Sequence, residues 1–87
     1  MKTFYDLEFK PHSVDPSGVH ATMQFPNGYG VSVIRTFFSY GGGKGLYELA
    51  VTASNGDLCY DTEITSDVLG YLNEDEVTTA MQKAQEL

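Results

Sequence analysis

The stretch from Pro26 to Asp61 limits the fold more than any other part of the chain. Its apolar runs are broken by Pro26-Asn27-Gly28, by the glycine cluster Gly41-Gly42-Gly43-Lys44-Gly45 and by Ser54-Asn55-Gly56-Asp57. Such punctuation predicts an antiparallel meander, because Gly and Asn accept positive φ at tight hairpin corners at little steric cost.

The segments around these corners carry strand periodicity. Thr3 to Phe9 sets Tyr5, Leu7 and Phe9 against Phe4, Asp6 and Glu8, which predicts a first strand that Lys10-Pro11 ends. After turn chemistry at Asp15-Pro16-Ser17-Gly18, Val19 to Phe25 alternates cleanly, with His20 on its polar face. Val31 to Phe38 is apolar on both parities, the pattern of a central or bulged strand. Arg35 within it is the only arginine and is expected to pair with Glu48 or Asp61. Leu46 to Ala53 turns Tyr47, Leu49, Val51 and Ala53 inward and Glu48, Ala50 and Thr52 outward, and Leu58 to Thr62 reads as its partner.

The period then lengthens. Thr65-Ser66-Asp67 resembles a helix start before Val68, Leu69, Tyr71 and Leu72, and Gly70 limits that helix to a turn or two. Asn73 with Glu76 forms a capping-box pattern ahead of Val77, Ala80, Met81, Ala84 and Leu87, an amphipathic stripe. The expected fold is therefore α+β. About five strands form an antiparallel β-meander, with one short and one longer C-terminal helix packed on one face.

At 87 residues the chain is expected to be a single domain, 1–87. No apolar run is long enough to span a bilayer, and Asp6 and Glu8 interrupt the start of the chain where a signal peptide needs an apolar core. A cytoplasmic setting is expected. Cys59 is the only cysteine, so no internal disulfide can form and a cysteine-based metal site is not expected.

Charge is divided unevenly. Residues 1–47 hold four basic groups against three acidic ones, a net of +1, whereas residues 48–87 hold nine acids against Lys83, a net of −8. Direct binding to a phosphate backbone is disfavoured, and a partner with a basic surface is favoured, through its on-rate above all. The acids crowd at Asp57, Asp61, Glu63, Asp67, Glu74, Asp75 and Glu76. The helix macrodipole accounts for Asp67, Glu74, Asp75 and Glu76 without a partner, but not for Asp57, Asp61 and Glu63.

Catalytic signatures are missing. His12 and His20 belong to no HExxH or Cys-His spacing, no GxSxG occurs, and the acids do not follow calcium-loop spacing. Gly43-Lys44-Gly45 lacks the hydroxyl and the following helix of a phosphate loop, so a flexible, exposed hairpin loop is expected there. Tyr40 and Lys44 in that loop are candidate contacts. No enzyme activity, cofactor or metal is expected.

The runs NGYGVSVIRTFFSYGGGKGLYELAV and GDLCYDTEITSDVLGYLNEDEV, spanning most of Asn27 to Val77, resemble small uncharacterised proteins of bacteriophages and prophages. That resemblance implies a setting in the host bacterial cytoplasm, where short acidic phage proteins without enzyme motifs are often inhibitors of host defence, including anti-CRISPR proteins. The leading expectation is a non-catalytic protein that blocks a CRISPR-Cas or other nucleic-acid-binding complex. Its acidic face would occupy a basic surface, with the chain acting as a monomer or small homo-oligomer. A structural or accessory phage protein self-associating through a sheet edge is the alternative. Third is a small-molecule site at the glycine loop with Tyr29 and Tyr40.

Overall fold

The computed structural model describes residues 1–55 and 68–87. Five strands form one antiparallel sheet in sequential order: β1 Lys10–Pro11, β2 Val19–Gln24, β3 Gly30–Arg35, β4 Tyr47–Thr52 and β5 Val68–Leu72. Among the described residues one α-helix, α1 Glu74–Gln85, follows β5 and packs across one face of the sheet. The expected meander with a C-terminal helix is present. The start expected for a short helix at Thr65-Ser66-Asp67 lies outside the described residues, and Val68–Leu72, expected to follow it, is the fifth strand.

Alternation sorts the core as physics requires. Ala21, Val31, Val33, Tyr47, Leu49 and Val51 point from the sheet toward Val77, Ala80, Met81 and Ala84 of α1, and all are buried. Successive strand residues face opposite ways, so one row each from β2, β3 and β4 faces the apolar stripe of the helix. The opposite face carries His20, Thr22, Ser32, Ile34 and Glu48, and no described helix covers it. Ala50 and Thr52 lie on that face yet are buried, Thr52 in part because Gln24 Nε2 donates to its hydroxyl (3.3 Å).

Both ends of α1 are anchored. Asn73 Oδ1 accepts from Glu76 N–H (2.8 Å) and Glu76 Oε1 accepts from Asn73 N–H (3.0 Å), the expected capping box. At the far end Asn27 Nδ2 donates to the carbonyls of Ala84 (2.8 Å) and Leu87 (3.3 Å). The Asn27-Gly28 corner was expected to place both residues at positive φ, but only Gly28 is there (φ 90°). Asn27 keeps ordinary geometry and spends its side chain on the helix.

The N-terminal strand expected over Thr3 to Phe9 is replaced by a 3-10 turn at Phe4–Asp6. Asp6 carboxylate accepts from Thr3 N–H (2.8 Å), and Phe4 N–H donates to Thr78 Oγ1 of α1 (3.0 Å). This local cap competes with extension and wins, since it lets Phe4 and Phe9 pack on Tyr47 at 5.1 and 5.5 Å between ring centres. Lys10-Pro11 therefore does not end a strand. It is one, paired to His20 and Val19.

In β5, Leu69 stands opposite Leu49 and Leu72 opposite Tyr47, so Gly70 and Tyr71 share the space opposite Glu48. This is a bulge, and Tyr71 adopts left-handed backbone (φ 57°). The extra residue turns both Leu69 and Leu72 toward the core. The strand expected over Leu58 to Thr62 lies outside the described residues. Met81 is wholly buried beneath the sheet, so Met81→Ala should lower the unfolding free energy by about 2–5 kcal/mol in urea titration, with the fold retained.

Candidate binding surface

The β3–β4 connection is an exposed hairpin loop, as expected, but the strand expected over Val31 to Phe38 stops three residues early. β3 ends at Arg35, and Thr36 and Ser39 then clasp each other. Thr36 N–H donates to Ser39 Oγ (2.9 Å), Ser39 N–H to Thr36 Oγ1 (3.1 Å) and Ser39 Oγ to the Thr36 carbonyl (3.0 Å). Both residues are buried. Two hydroxyls in reciprocal bonds give the backbone an alternative to the sheet ladder, which stops the strand there.

Neighbouring segments tie down what the clasp leaves. Asp15 Oδ2 accepts from Phe37 N–H (3.0 Å) while its Oδ1 accepts from Ser17 Oγ (2.6 Å) and Ser17 N–H (3.1 Å). These bonds, the Ser17 hydroxyl first and the Phe37 amide next, hold the Asp15 carboxyl below the ordinary aspartate range. Glu48 Oε1 accepts from Tyr40 N–H (3.1 Å), and the Tyr40 carbonyl accepts from Tyr71 N–H (3.1 Å). The glycine cluster is a hydrogen-bonded 3-10 turn, Gly42–Lys44, entered through Gly41 at φ 92°. Such a φ strains any residue with a Cβ.

The ordered loop holds large apolar side chains in solvent. Phe37 is 76 % exposed, Phe38 50 %, Tyr40 60 % and Tyr71, across the bulge, 56 %. Lys44 Nζ lies 5.8 Å from the Tyr71 ring centre. Phe38 meets the His12 ring edge-on at 5.4 Å, and His12 meets His20 at 5.9 Å. Gly70 is where the loop seats on β5: a Cβ there would stand 2.5 Å from Tyr40 Cβ.

Of the residues proposed from sequence, Tyr40 and Lys44 are brought together, with Tyr71 between β5 and the loop. Glu74, Asp75 and Glu76 come to the same end of the sheet, because β5 runs toward it and Asn73 alone separates β5 from α1. Glu74 and Asp75 are exposed, while Glu76 serves the capping box. Asp57, Asp61, Glu63 and Asp67 lie outside the described residues. Tyr29 and Tyr40 flank opposite ends of six-residue β3, about 20 Å of extended chain, so they do not form one pocket. Arg35 does not pair with Glu48. Its Nη1 donates to Tyr47 Oη (3.1 Å) with the guanidinium over that ring at 5.2 Å, and Glu48 is taken by Tyr40. Phe37, Phe38, Tyr71 and His12 were not among the proposed contacts. The signals that could have found them are the Thr36/Ser39 pair three apart and the doubled phenylalanine that breaks strand alternation.

The remaining polar groups offer little assembled chemistry. His20 Nε2 and Ser32 Oγ stand 3.5 Å apart, and no described carboxylate accepts from the other ring nitrogen. Among the described residues no group of three His, Cys, Asp or Glu side chains could hold a metal ion, and no helix is long and apolar enough to cross a membrane. A groove of about 680 Å³ between β5 and α1 has Leu69, Leu72, Ala80 and Leu87 on its walls, with Lys83 and Glu86 among its polar lining.

Burial and the His12 charge lower the His20 pKa below the ordinary 6.5. The unfolded chain then takes up the proton more readily than the fold, so stability is full above pH 6.5 and falls as pH drops through the folded-state value. Urea midpoints measured at pH 7.5 and 5.5 should show this loss, and His20→Gln should reduce it. Gly70→Ala should destabilise by about 1–3 kcal/mol, since the added methyl forces Tyr40 away from β5.

Comparison with protein-family models, with curated proteins and with solved structures finds no match to this chain.

Proposed function

We propose that this chain is a non-catalytic binding protein that docks a protein partner through the aromatic loop and the bulge beside it. One observation carries the reading. Buried Thr36, Ser39 and Asp15 are committed to ordering a loop whose most prominent side chains, Phe37, Phe38 and Tyr40, are left in water. A loop needed only to connect β3 to β4 has no reason to be both this ordered and this apolar outside. Preorganised aromatics with a polar rim are the usual centre of a binding surface, because little freedom is lost on docking.

Backbone strain points the same way. Left-handed geometry at a non-glycine residue costs on the order of 1 kcal/mol, and Tyr71 keeps it while its ring stays exposed. Glu74 and Asp75 beside the aromatics, and the net charge of −7, favour a partner whose docking face is basic. The concrete form is an inhibitor of the anti-CRISPR type, acting in the bacterial cytoplasm on a nucleic-acid-binding complex. The charge balance and the resemblance to small phage proteins support it. A second reading, self-association through a sheet edge, is favoured by the two-residue length of β1, which leaves Ala21–Gln24 of β2 without a strand on that side among the described residues.

The discriminating experiment is capture from bacterial lysate at low salt, compared between the wild-type chain and Phe37→Ala/Phe38→Ala/Tyr40→Ala. Docking through the loop expects a nucleic-acid-binding protein retained by the first and reduced at least about tenfold with the second, since such anchors are worth about 2 kcal/mol or more each. Equal retention would overturn it. Light scattering over a concentration series tests the edge reading, which expects mass to rise without any partner. Tyr71→Gly should raise stability by about 1 kcal/mol in urea titration while weakening capture, because it relieves the backbone and removes the ring.

A further inference from the structure

His12 sits where the aromatic loop meets the β1–β2 turn, and its hydrogen bonding has a direction. Its Nδ1 lies 3.0 Å from Val14 N and 3.3 Å from Asp15 N. Backbone N–H groups only donate, so Nδ1 must accept, and the proton of the neutral ring is on Nε2. The ring thus shapes the turn from which the Asp15 carboxylate reaches Phe37 N–H, while its edge contacts Phe38 at 5.4 Å. One imidazole thereby touches both phenylalanines of the proposed docking loop, Phe38 by its ring and Phe37 through Asp15.

We propose that His12 is an acid-released latch for the aromatic loop: neutral, it holds the Val14–Asp15 turn that positions Phe37 and Phe38, and protonated, it lets that turn go. Adding a proton at Nδ1 converts the acceptor into a donor facing two other donors, so both bonds are lost together. The new charge also arises 5.9 Å from the His20 ring. Burial and this neighbour both keep His20 from taking a proton early.

The charged surroundings do not cancel the effect. Lys10 of β1 stands opposite His20 in register, and Glu8 borders the same recess as Lys10 and His20. From β3, Ser32 and Ile34 face this side uncharged, and Arg35 points to the opposite face against Tyr47. From β4, Glu48 is bound to the Tyr40 amide. The carboxylate of the turn, Asp15, accepts from the Ser17 hydroxyl and amide and from the Phe37 amide. Imidazole is the side chain that ordinarily changes charge in mildly acidic solution.

The importance of the latch for partner binding rests on the proposed docking role, but the latch itself is read on the free protein. Amide resonances of Val14, Asp15 and Phe37 should move with one midpoint as the pH is lowered from 7.5 to 5. Protection of the Phe37 amide against hydrogen exchange, relative to an unstructured chain at the same pH, should fall about tenfold, the worth of one hydrogen bond. His12→Asn keeps an acceptor oxygen at similar reach but cannot titrate. It should hold the three amides steady over the range, and His20→Gln should leave the transition in place. A Phe37 amide indifferent to pH in the wild-type protein, an unchanged transition in His12→Asn, or its loss only in His20→Gln would each overturn the latch.

Discussion

One extra residue in β5 sets much of what lies around it. With regular pairing, Leu69 and Leu72 would face opposite ways, and only one of them could join the core. The bulge at Gly70 and Tyr71 lets both reach it, opposite Leu49 and Tyr47. It also turns the Tyr71 amide toward the Tyr40 carbonyl and leaves Gly70 without a side chain where Tyr40 must pass. The apolar closure of the sheet edge and the seating of the aromatic loop are therefore one arrangement seen from two faces.

That arrangement is also why the sequence misleads at this point. Apolar residues at 68, 69, 71 and 72 fall at helical spacing, because a bulge stretches the period of two toward three. Where no bulge intervenes, alternation was readable: β2 and β4 fall where it put them, β3 begins as expected but stops at Arg35, and Asn73 with Glu76 marks the start of α1. The failure at Thr3 to Phe9 has a different origin. Thr3 and Asp6 hold a local cap that apolar alternation conceals, and tertiary packing of Phe4 and Phe9 on Tyr47 favours it. At the candidate surface Tyr40 and Lys44 were legible as exposed residues near glycine. Phe37 and Phe38 were not, because two phenylalanines after a strand look like more strand until the Thr36–Ser39 clasp is seen.

The surface has a division of labour. Its order comes from buried hydroxyls and the Asp15 carboxylate, while in the proposed docking role the aromatic rings would supply contact area and the acids at the start of α1 long-range attraction. Burying a polar group is tolerable only when it is bonded, and every buried side-chain polar atom among the described residues has a partner. These bonds hold the loop's backbone, while Phe37, Phe38 and Tyr40 remain half or more exposed.

The pairing of Lys2 with Gln85 has a practical corollary. Gln85 accepts from Lys2 N–H and donates to its carbonyl, both at 2.9 Å, which brings the two ends of the described chain side by side near the Asn27 corner. The aromatic loop is at the other end of the sheet. Anything joined at either end, whether a surface, a label or a second copy on a linker, thus projects away from the loop. On the proposed docking role, two linked copies would offer two docking faces, and the gain from joining them would be set by linker length.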